Sequence, residues 1–282
     1  MKYNRSITDI IKYRTSQRTY NGLALNAKKK TSMQKVLQNS ASGPFGGKVR
    51  LSLFEQDTTV NKVQKFGTYG IIKGTNAFLV GAIKKSDRAM EDFGFVFESI
   101  ILKATDLDLG TCWLGGSFKR SAFATAIDAQ PDELVPAVSP IGYIKKKRSL
   151  RDRTIRLLAS SKNRKSWPEL FYDEEFGNPL SEDSAGSYAT VLEMVRLAPS
   201  ASNKQPWRIL RSKGCYHLFL KCTKGYGGIL AVDIQRIDMG IAMCHFELTA
   251  RELNIPGQWD SSISISPMSN AGLEYIVSWR EN

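Results

Sequence analysis

The sequence predicts an α+β protein made of two degenerate copies of one half, residues 1–150 and 151–282, packed intimately together. Three observations carry this. Helical and extended apolar segments alternate without strict βαβ order, which suits a sandwich whose sheet is mostly antiparallel. Two long apolar runs match each other without gaps: DFGFVFESIILKATDLDLGTCW from Asp92 and DMGIAMCHFELTARELNIPGQW from Asp238. At the constant offset of 146 residues, Asp92 meets Asp238, Gly94 meets Gly240, Leu102 meets Leu248, Ala104 meets Ala250, Leu107 meets Leu253 and Trp113 meets Trp259. Finally, 282 residues with 42% hydrophobic content can bury one large core or two modest ones.

A second match lies upstream of each run. Val36-Leu37-Gln38 through Gly43-Pro44 resembles Val191-Leu192-Glu193 through Ala198-Pro199, at an offset of 155 residues. Both are amphipathic helix ends entering a proline-containing loop and then a strand. The difference between the offsets needs only short insertions, which loops tolerate cheaply.

In order, the pattern predicts a helix over Ile7 to Tyr13 ahead of an arginine-rich turn, and a second over about Ala27 to Gln38. Strands follow near Arg50 to Phe54, Ala77 to Ile83 and Ala137 to Tyr143, with the first long helix from Asp92. Both long runs are apolar nearly all round, as in a helix buried in a core or an interface. A connector, 144–168, leads into the second half. There a helix is expected over Ser187 to Leu197, strands near Trp207 to Arg211 and His217 to Lys221, a long helix from Asp238, and a last strand over Leu273 to Trp279.

Composition excludes several classes. The longest apolar run, Ala77 to Ile83, is far short of a membrane span, so no membrane partner is expected. The start, MKYNRSITDIIKYR, lacks an apolar signal core, and the four cysteines (Cys112, Cys215, Cys222, Cys244) form no CxxC. They read as reduced core thiols in a cytoplasmic protein. His217 and His245 have no clustered partners, so they read as structural histidines and no metal is expected. The net charge of +13 is concentrated between Lys145 and Lys165. Without interleaved aromatics that stretch reads as a solvated connector or a phosphate contact, and no nucleic-acid partner is expected. No GxGxxG follows a strand and no Walker motif is present.

Three stretches carry ligand chemistry. In Arg14-Thr15-Ser16-Gln17-Arg18, two guanidinium forks and a hydroxyl on one side of a turn suit a phosphate and an electron-rich ring edge. A helix C-terminus dressed with cations is the plain alternative. In Ala198-Pro199-Ser200-Ala201-Ser202-Asn203-Lys204-Gln205-Pro206-Trp207, small residues let backbone approach a planar ligand, and Ser200, Ser202 and Asn203 offer polar contacts. In Leu109-Gly110-Thr111-Cys112-Trp113-Leu114-Gly115-Gly116, the paired glycines leave room for a flat cofactor against backbone amides, or form an ordinary turn.

Together these stretches resemble the nitroreductase superfamily of FMN proteins, above all its single-chain branch. The resemblance runs from about Ile10 to about Ser278. It implies a nitroreductase-like α/β/α sandwich whose two repeats form an intrachain pseudo-dimer, so that a monomer suffices for a complete site. It also implies Arg14 and Ser16 at the FMN phosphate, and Arg18 near the isoalloxazine, where a cation favours the anionic reduced flavin. Pro199, Ser200, Ala201 and Asn203 are implied at the ring, Gly115 and Gly116 near flavin N5, and Lys162 and Arg164, a looser match, as a second phosphate-binding pair. No catalytic side chain is implied, because the flavin performs the chemistry. NADH or NADPH is the implied donor, passing electrons through N5 to a small acceptor such as a nitroaromatic or quinone. A flavin-binding carrier or sensor on the same scaffold is the alternative.

The departures matter too. The first copy has Ser42-Gly43-Pro44-Phe45-Gly46-Gly47 where the second has its serine-asparagine loop. Glu169-Leu170-Phe171-Tyr172-Asp173 supplies no arginines to match RTSQR. Each half is therefore expected to keep a complementary part of one site, giving one FMN per chain.

Overall fold

Two six-stranded sheets organise the chain in the computed structural model, which describes residues 1–38, 41–55, 68–75, 77–145, 163–223, 225–226, 232–263, 265 and 272–281. The first half runs α1 (Ile7–Tyr13), α2 (Ala27–Gln38), β1 (Ala41–Ser42), β2 (Lys48–Glu55), β3 (Ala77–Lys84), α3 (Ala89–Asp106), β4 (Gly110–Thr111), α4 (Arg120–Ala126), β5 (Glu133–Leu134) and β6 (Val138–Gly142). Its strands lie in the order β1-β2-β3-β6-β4, with β5 pairing β3, and these pairings are antiparallel.

The second half begins with α5 (Trp167–Leu170), β7 (Phe171–Asp173), β8 (Glu175–Pro179), α6 (Glu182–Ala185) and a 3-10 turn over Gly186–Tyr188. It continues through α7 (Ala189–Arg196), β9 (Trp207–Ser212), β10 (Cys215–Lys221), α8 (Ile234–Glu252), β11 (Gln258–Asp260) and β12 (Leu273–Arg280). The strand order is β11-β12-β10-β9-β7-β8, and β7 runs parallel to β9. Within the two sheets, β2-β3-β6-β4 and β9-β10-β12-β11 share one topology: a hairpin, a long helix, a short edge strand, and a last strand inserted between.

The two long helices, α3 and α8, pack against each other and are buried along almost their whole length. Glycine makes this approach possible. A Cβ added to Gly94 would lie 2.2 Å from the Ile237 carbonyl oxygen, and one added to Gly240 would lie 2.0 Å from that of Glu91. Ile237 stands to Glu91 as Gly240 stands to Gly94, so the contact is reciprocal, as in a two-fold interface. The matched aspartates also do the same work. Asp92 accepts from the Phe45 and Gly47 amides at 2.8 and 2.6 Å, and Asp238 from the Ala201 amide at 3.0 and 3.1 Å. Each clamps the loop ahead of its own hairpin. Burial pushes both carboxyls up, and the amide bonds oppose it.

Several expectations need correction. The second long helix starts at Ile234 instead of Asp238, because Asp233 caps it, accepting from the Gln235 amide at 2.9 Å. The helix expected over Ser187 to Leu197 opens as a 3-10 turn and becomes α only at Ala189. Cys222 is exposed, whereas Cys112, Cys215 and Cys244 are buried free thiols. β7, β8 and α4 were not anticipated. Most of the expected connector, 146–162, lies outside the described residues. Among the described residues no helix is long and apolar enough to cross a membrane, and no His, Cys, Asp or Glu group is arranged to hold a metal.

His217 links this packing to pH. It is buried on β10, its Nδ1 2.6 Å from the Ser278 hydroxyl, and burial lowers its pKa. The folded state therefore keeps a neutral imidazole where the unfolded chain takes up a proton near pH ~6.5. Its stabilising contribution is present above that pH and is lost as the pH falls below it. The unfolding midpoint should drop between about pH 7 and about pH 5, and drop less steeply in His217→Gln. Equal slopes in thermal denaturation would show that His217 is not responsible.

Candidate functional site

The site begins with a helix pinned onto the opposite half. Ser6 caps α1, accepting from the Asp9 amide at 3.2 Å, while the free amides of Ile7 and Thr8 donate to Glu252 at the end of α8. Ile7, Ile10 and Ile11 pack on Leu102, Met194 and Cys244. The helix ends at Arg14, whose backbone turns extended (φ −59°, ψ 124°) after its amide bonds Ile10. The chain then runs beside β4: Ser16 bridges Thr111, and the Gln17 amide donates to the Thr111 carbonyl at 2.8 Å. The arginine motif is thus laid along the strand that opens the glycine loop. Arg14 is buried, and Ser16 and Arg18 are half-buried.

The glycine loop is held from three sides. Leu114 exchanges backbone hydrogen bonds with Val138 at 2.9 and 3.1 Å. The Trp113 indole donates to Glu98 Oε2 at 2.7 Å. Arg120 Nη2 donates to the Gly115 carbonyl at 3.1 Å. Gly115 faces the start of α8, where a Cβ would come 3.3 Å from the Ile234 side chain, and Gly116 is exposed.

The loop from Pro199 to Gln205 completes the set. Ser202, Asn203 and Gln205 all adopt left-handed backbone (φ +46°, +56° and +49°), a conformation that costs non-glycine residues about 1–2 kcal/mol each. Local bonds hold it there. Ser200 Oγ accepts from the Gln205 amide at 2.8 Å, and the Gln205 side chain reaches the Asn203 carbonyl at 3.1 Å. Asn203 Nδ2 donates to the Asn163 carbonyl at 2.6 Å, and its oxygen accepts from Arg164. The polar groups expected to face a ligand are therefore largely engaged in shaping the loop. A serine hydroxyl that accepts one bond still keeps its own proton to donate.

Cations from both halves converge here. Arg164 donates to the Leu197 carbonyl at 2.9 Å and to Asn203, with no carboxylate bonded to it among the described residues. Burial, followed by repulsion from Arg14 and Arg196, brings its pKa down to about 10. Arg196 is neutralised by Glu193 at 2.6 and 2.8 Å. Arg14 Nε is buried without a hydrogen-bond partner among the described residues, 3.9 Å from Glu98 Oε1.

Of the sequence-predicted residues, Arg164 and Asn203 are hydrogen-bonded to each other, and Arg14 lies near enough to Arg164 for the two charges to repel. Ser16 joins the strand leading to Gly115, and Pro199, Ser200 and Ala201 lie in the loop clamped by Asp238. Lys162 lies outside the described residues. Sequence reasoning missed Arg196, Arg120, Glu98 and His245. The last two left a signal: each is an ionisable residue inside a run predicted to be buried all round.

A family model described as "Putative TM nitroreductase" matches residues 6–250. A crystal structure described as a putative nitroreductase from Thermotoga maritima is 20% identical, covers 100% of this chain and 96% of its own, and superposes with a TM-score of 0.62, so the fold is shared. A nitroreductase with bound FMN from Bacteroides fragilis is 15% identical, covers 52% of this chain and 92% of its own, and has a TM-score of 0.41. An FMN-dependent nitroreductase from Clostridium difficile is 18% identical over 50% of this chain and 88% of its own, with a TM-score of 0.39. No curated protein matches the sequence.

Proposed function

The chain belongs to the nitroreductase family whose model spans residues 6–250, and from that premise we propose that it binds one FMN between its halves and works as a flavin oxidoreductase. One observation carries the reading: a buried arginine group, drawn from both halves, includes a guanidinium nitrogen of Arg14 with no hydrogen-bond partner among the described residues. A dianionic phosphate suits that donor set, since it supplies an acceptor for Arg14 Nε and negative charge beside Arg164.

In this reading Arg14 and Arg164 hold the phosphate, with Ser16 beside it and Lys162 as a further cation. Arg18 lies toward the ring. Gly115 and Gly116 keep side chains away from its face, and Pro199, Ser200, Ala201 and Asn203 line its edge. When bound, the flavin supplies the electron chemistry, taking electrons from NADH or NADPH and passing them to a small acceptor such as a nitroaromatic or a quinone. The side chains bind it, orient it and keep water from it.

The reading includes an intrachain pseudo-dimer. The reciprocal Gly94 and Gly240 contacts, the paired roles of Asp92 and Asp238, and the shared strand order all support it. With the arginine motif in one half and the serine-asparagine loop in the other, a monomer holds one complete site.

Anaerobic absorbance titration tests the proposal. The purified protein should be yellow or take up one FMN per chain, and NADPH or NADH should bleach its flavin band. Protein that cannot be reconstituted with FMN would sink the reading. Flavin that is bound but reduced by neither nicotinamide would leave a carrier or sensor.

A further inference from the structure

A buried acid–base pair lies directly behind Arg14 and has no part in the reading so far. Glu98 on α3 and His245 on α8 are both fully buried, with Glu98 Oε1 and His245 Nε2 3.0 Å apart. The other imidazole nitrogen, Nδ1, is 2.9 Å from the Met194 carbonyl on α7. A carbonyl only accepts, so Nδ1 carries a hydrogen. Between Nε2 and Oε1 one further proton is needed, since otherwise a lone pair would face a carboxylate. Written as imidazolium with carboxylate or as imidazole with carboxylic acid, the pair has no net charge and one proton to lose.

That proton matters because of what Glu98 touches. Its Oε2 accepts from Trp113, two residues ahead of Gly115, and its Oε1 lies 3.9 Å from Arg14 Nε. We propose that Glu98 and His245 are positioning residues for the anion site, and that their shared proton sets how much of the Arg14 charge is available to an anionic ligand. The inference rests on the FMN reading. With the proton present, the Arg14 charge is uncompensated. With it lost, a fixed negative charge sits against Arg14 and weakens the hold on phosphate.

Arg14, from the end of α1, is the charged group facing the pair. Tyr3, from the N-terminal segment, and Cys244, beside His245, are both held neutral, by burial first and then by neighbouring negative groups that include Glu98. The charges of α7 nearest the Met194 carbonyl, Glu193 and Arg196, neutralise each other. Asp106 bonds Lys103, and Glu247, whose carboxyl is pushed up by burial, accepts from Trp259 and pairs with Arg251.

The test is FMN affinity between about pH 5.5 and about pH 9 in wild type, Glu98→Gln and His245→Gln. Wild type should bind FMN on the order of tenfold more weakly once the proton has left, as a unit charge near the phosphate demands. Glu98→Gln can still accept from Trp113 and donate to an unprotonated Nε2, so it should hold the tighter affinity throughout. His245→Gln leaves the Glu98 charge permanent and should bind weakly at every pH. The phosphate's own titration is common to all three and cancels in the comparison. Imidazole nitrogen NMR provides a second readout that does not need His245→Gln to fold. The chain has two histidines, and the signal of His245 should titrate with the same midpoint as the FMN affinity in wild type and lose that step in Glu98→Gln. Parallel affinity curves for wild type and Glu98→Gln would overturn the proton link while leaving the FMN reading intact. No FMN binding by wild type would overturn both.

Discussion

Replacing Arg14 by alanine should weaken FMN binding by roughly 2–3 kcal/mol, about a hundredfold, because a charge-assisted contact is lost from a buried site. The size of the effect follows from the state of the guanidinium. Its Nε is already out of water and has no hydrogen-bond partner among the described residues, with the Glu98 carboxyl 3.9 Å away, so an arriving phosphate gains a strong bond without first breaking one. Arg196 is different, because Glu193 already holds it through two short bonds, and its removal should cost much less. Riboflavin separates the phosphate from the ring: Arg14→Ala should hardly change riboflavin affinity while FMN affinity collapses. Isothermal titration with the two ligands checks this. An equal loss for both would move Arg14 to the ring, and no loss for either would remove it from the site.

Much of the framework was legible in the sequence, for identifiable reasons. α1 and α2 fall at their predicted bounds, since amphipathic periodicity and a serine cap mark helix ends well. The strands at Lys48–Glu55, Ala77–Lys84, Trp207–Ser212 and Leu273–Arg280 extend the predicted ones by no more than a few residues. What failed was local structure that depends on distant partners. β7 pairs in parallel with β9 across some thirty-five intervening residues, and its sequence, FYD, carries no alternation to announce it. The start of α8 was missed because the gap-free match began at Asp238, which hid the Asp233 cap upstream.

The site was legible as residue types and not as connections. RTSQR and APSASNKQPW stand out in the sequence, but the pairing of Arg164 with Asn203 depends on how the halves meet. So does the group behind Arg14. Glu98 and His245 come from separate helices, and their spacing in sequence carries no sign that they share a proton. The serine-asparagine loop was read as ligand-facing, whereas much of its polar capacity goes into holding three left-handed residues in place.

Gly94→Ala and Gly240→Ala should be among the most damaging methyl additions at the described glycines. Each added Cβ would stand about 2 Å from a backbone carbonyl oxygen of the facing helix, and backbone in the middle of a buried helix cannot swing aside as a side-chain tip can. The helices must separate along their whole contact, opening voids between them, and an overpacked core of this kind costs on the order of 4 kcal/mol or more. Gly46→Ala is the control: the position has open space around it, and its φ of +88° alone should cost about 1 kcal/mol. Urea denaturation of the three variants gives the comparison. The double variant Gly94→Ala/Gly240→Ala should lose less than the two single losses added, because one separation of the helices relieves both clashes. FMN affinity should fall with stability in these variants, although neither glycine is placed at the ligand. The serine-asparagine loop hangs from Asp238 on α8, whereas the glycine loop is tied through Trp113 to Glu98 on α3, so moving α3 away from α8 pulls these two parts of the site apart. A variant that kept wild-type stability would mean that the helices lie farther apart than the reciprocal contact requires, and would count against a two-fold interface inside one chain.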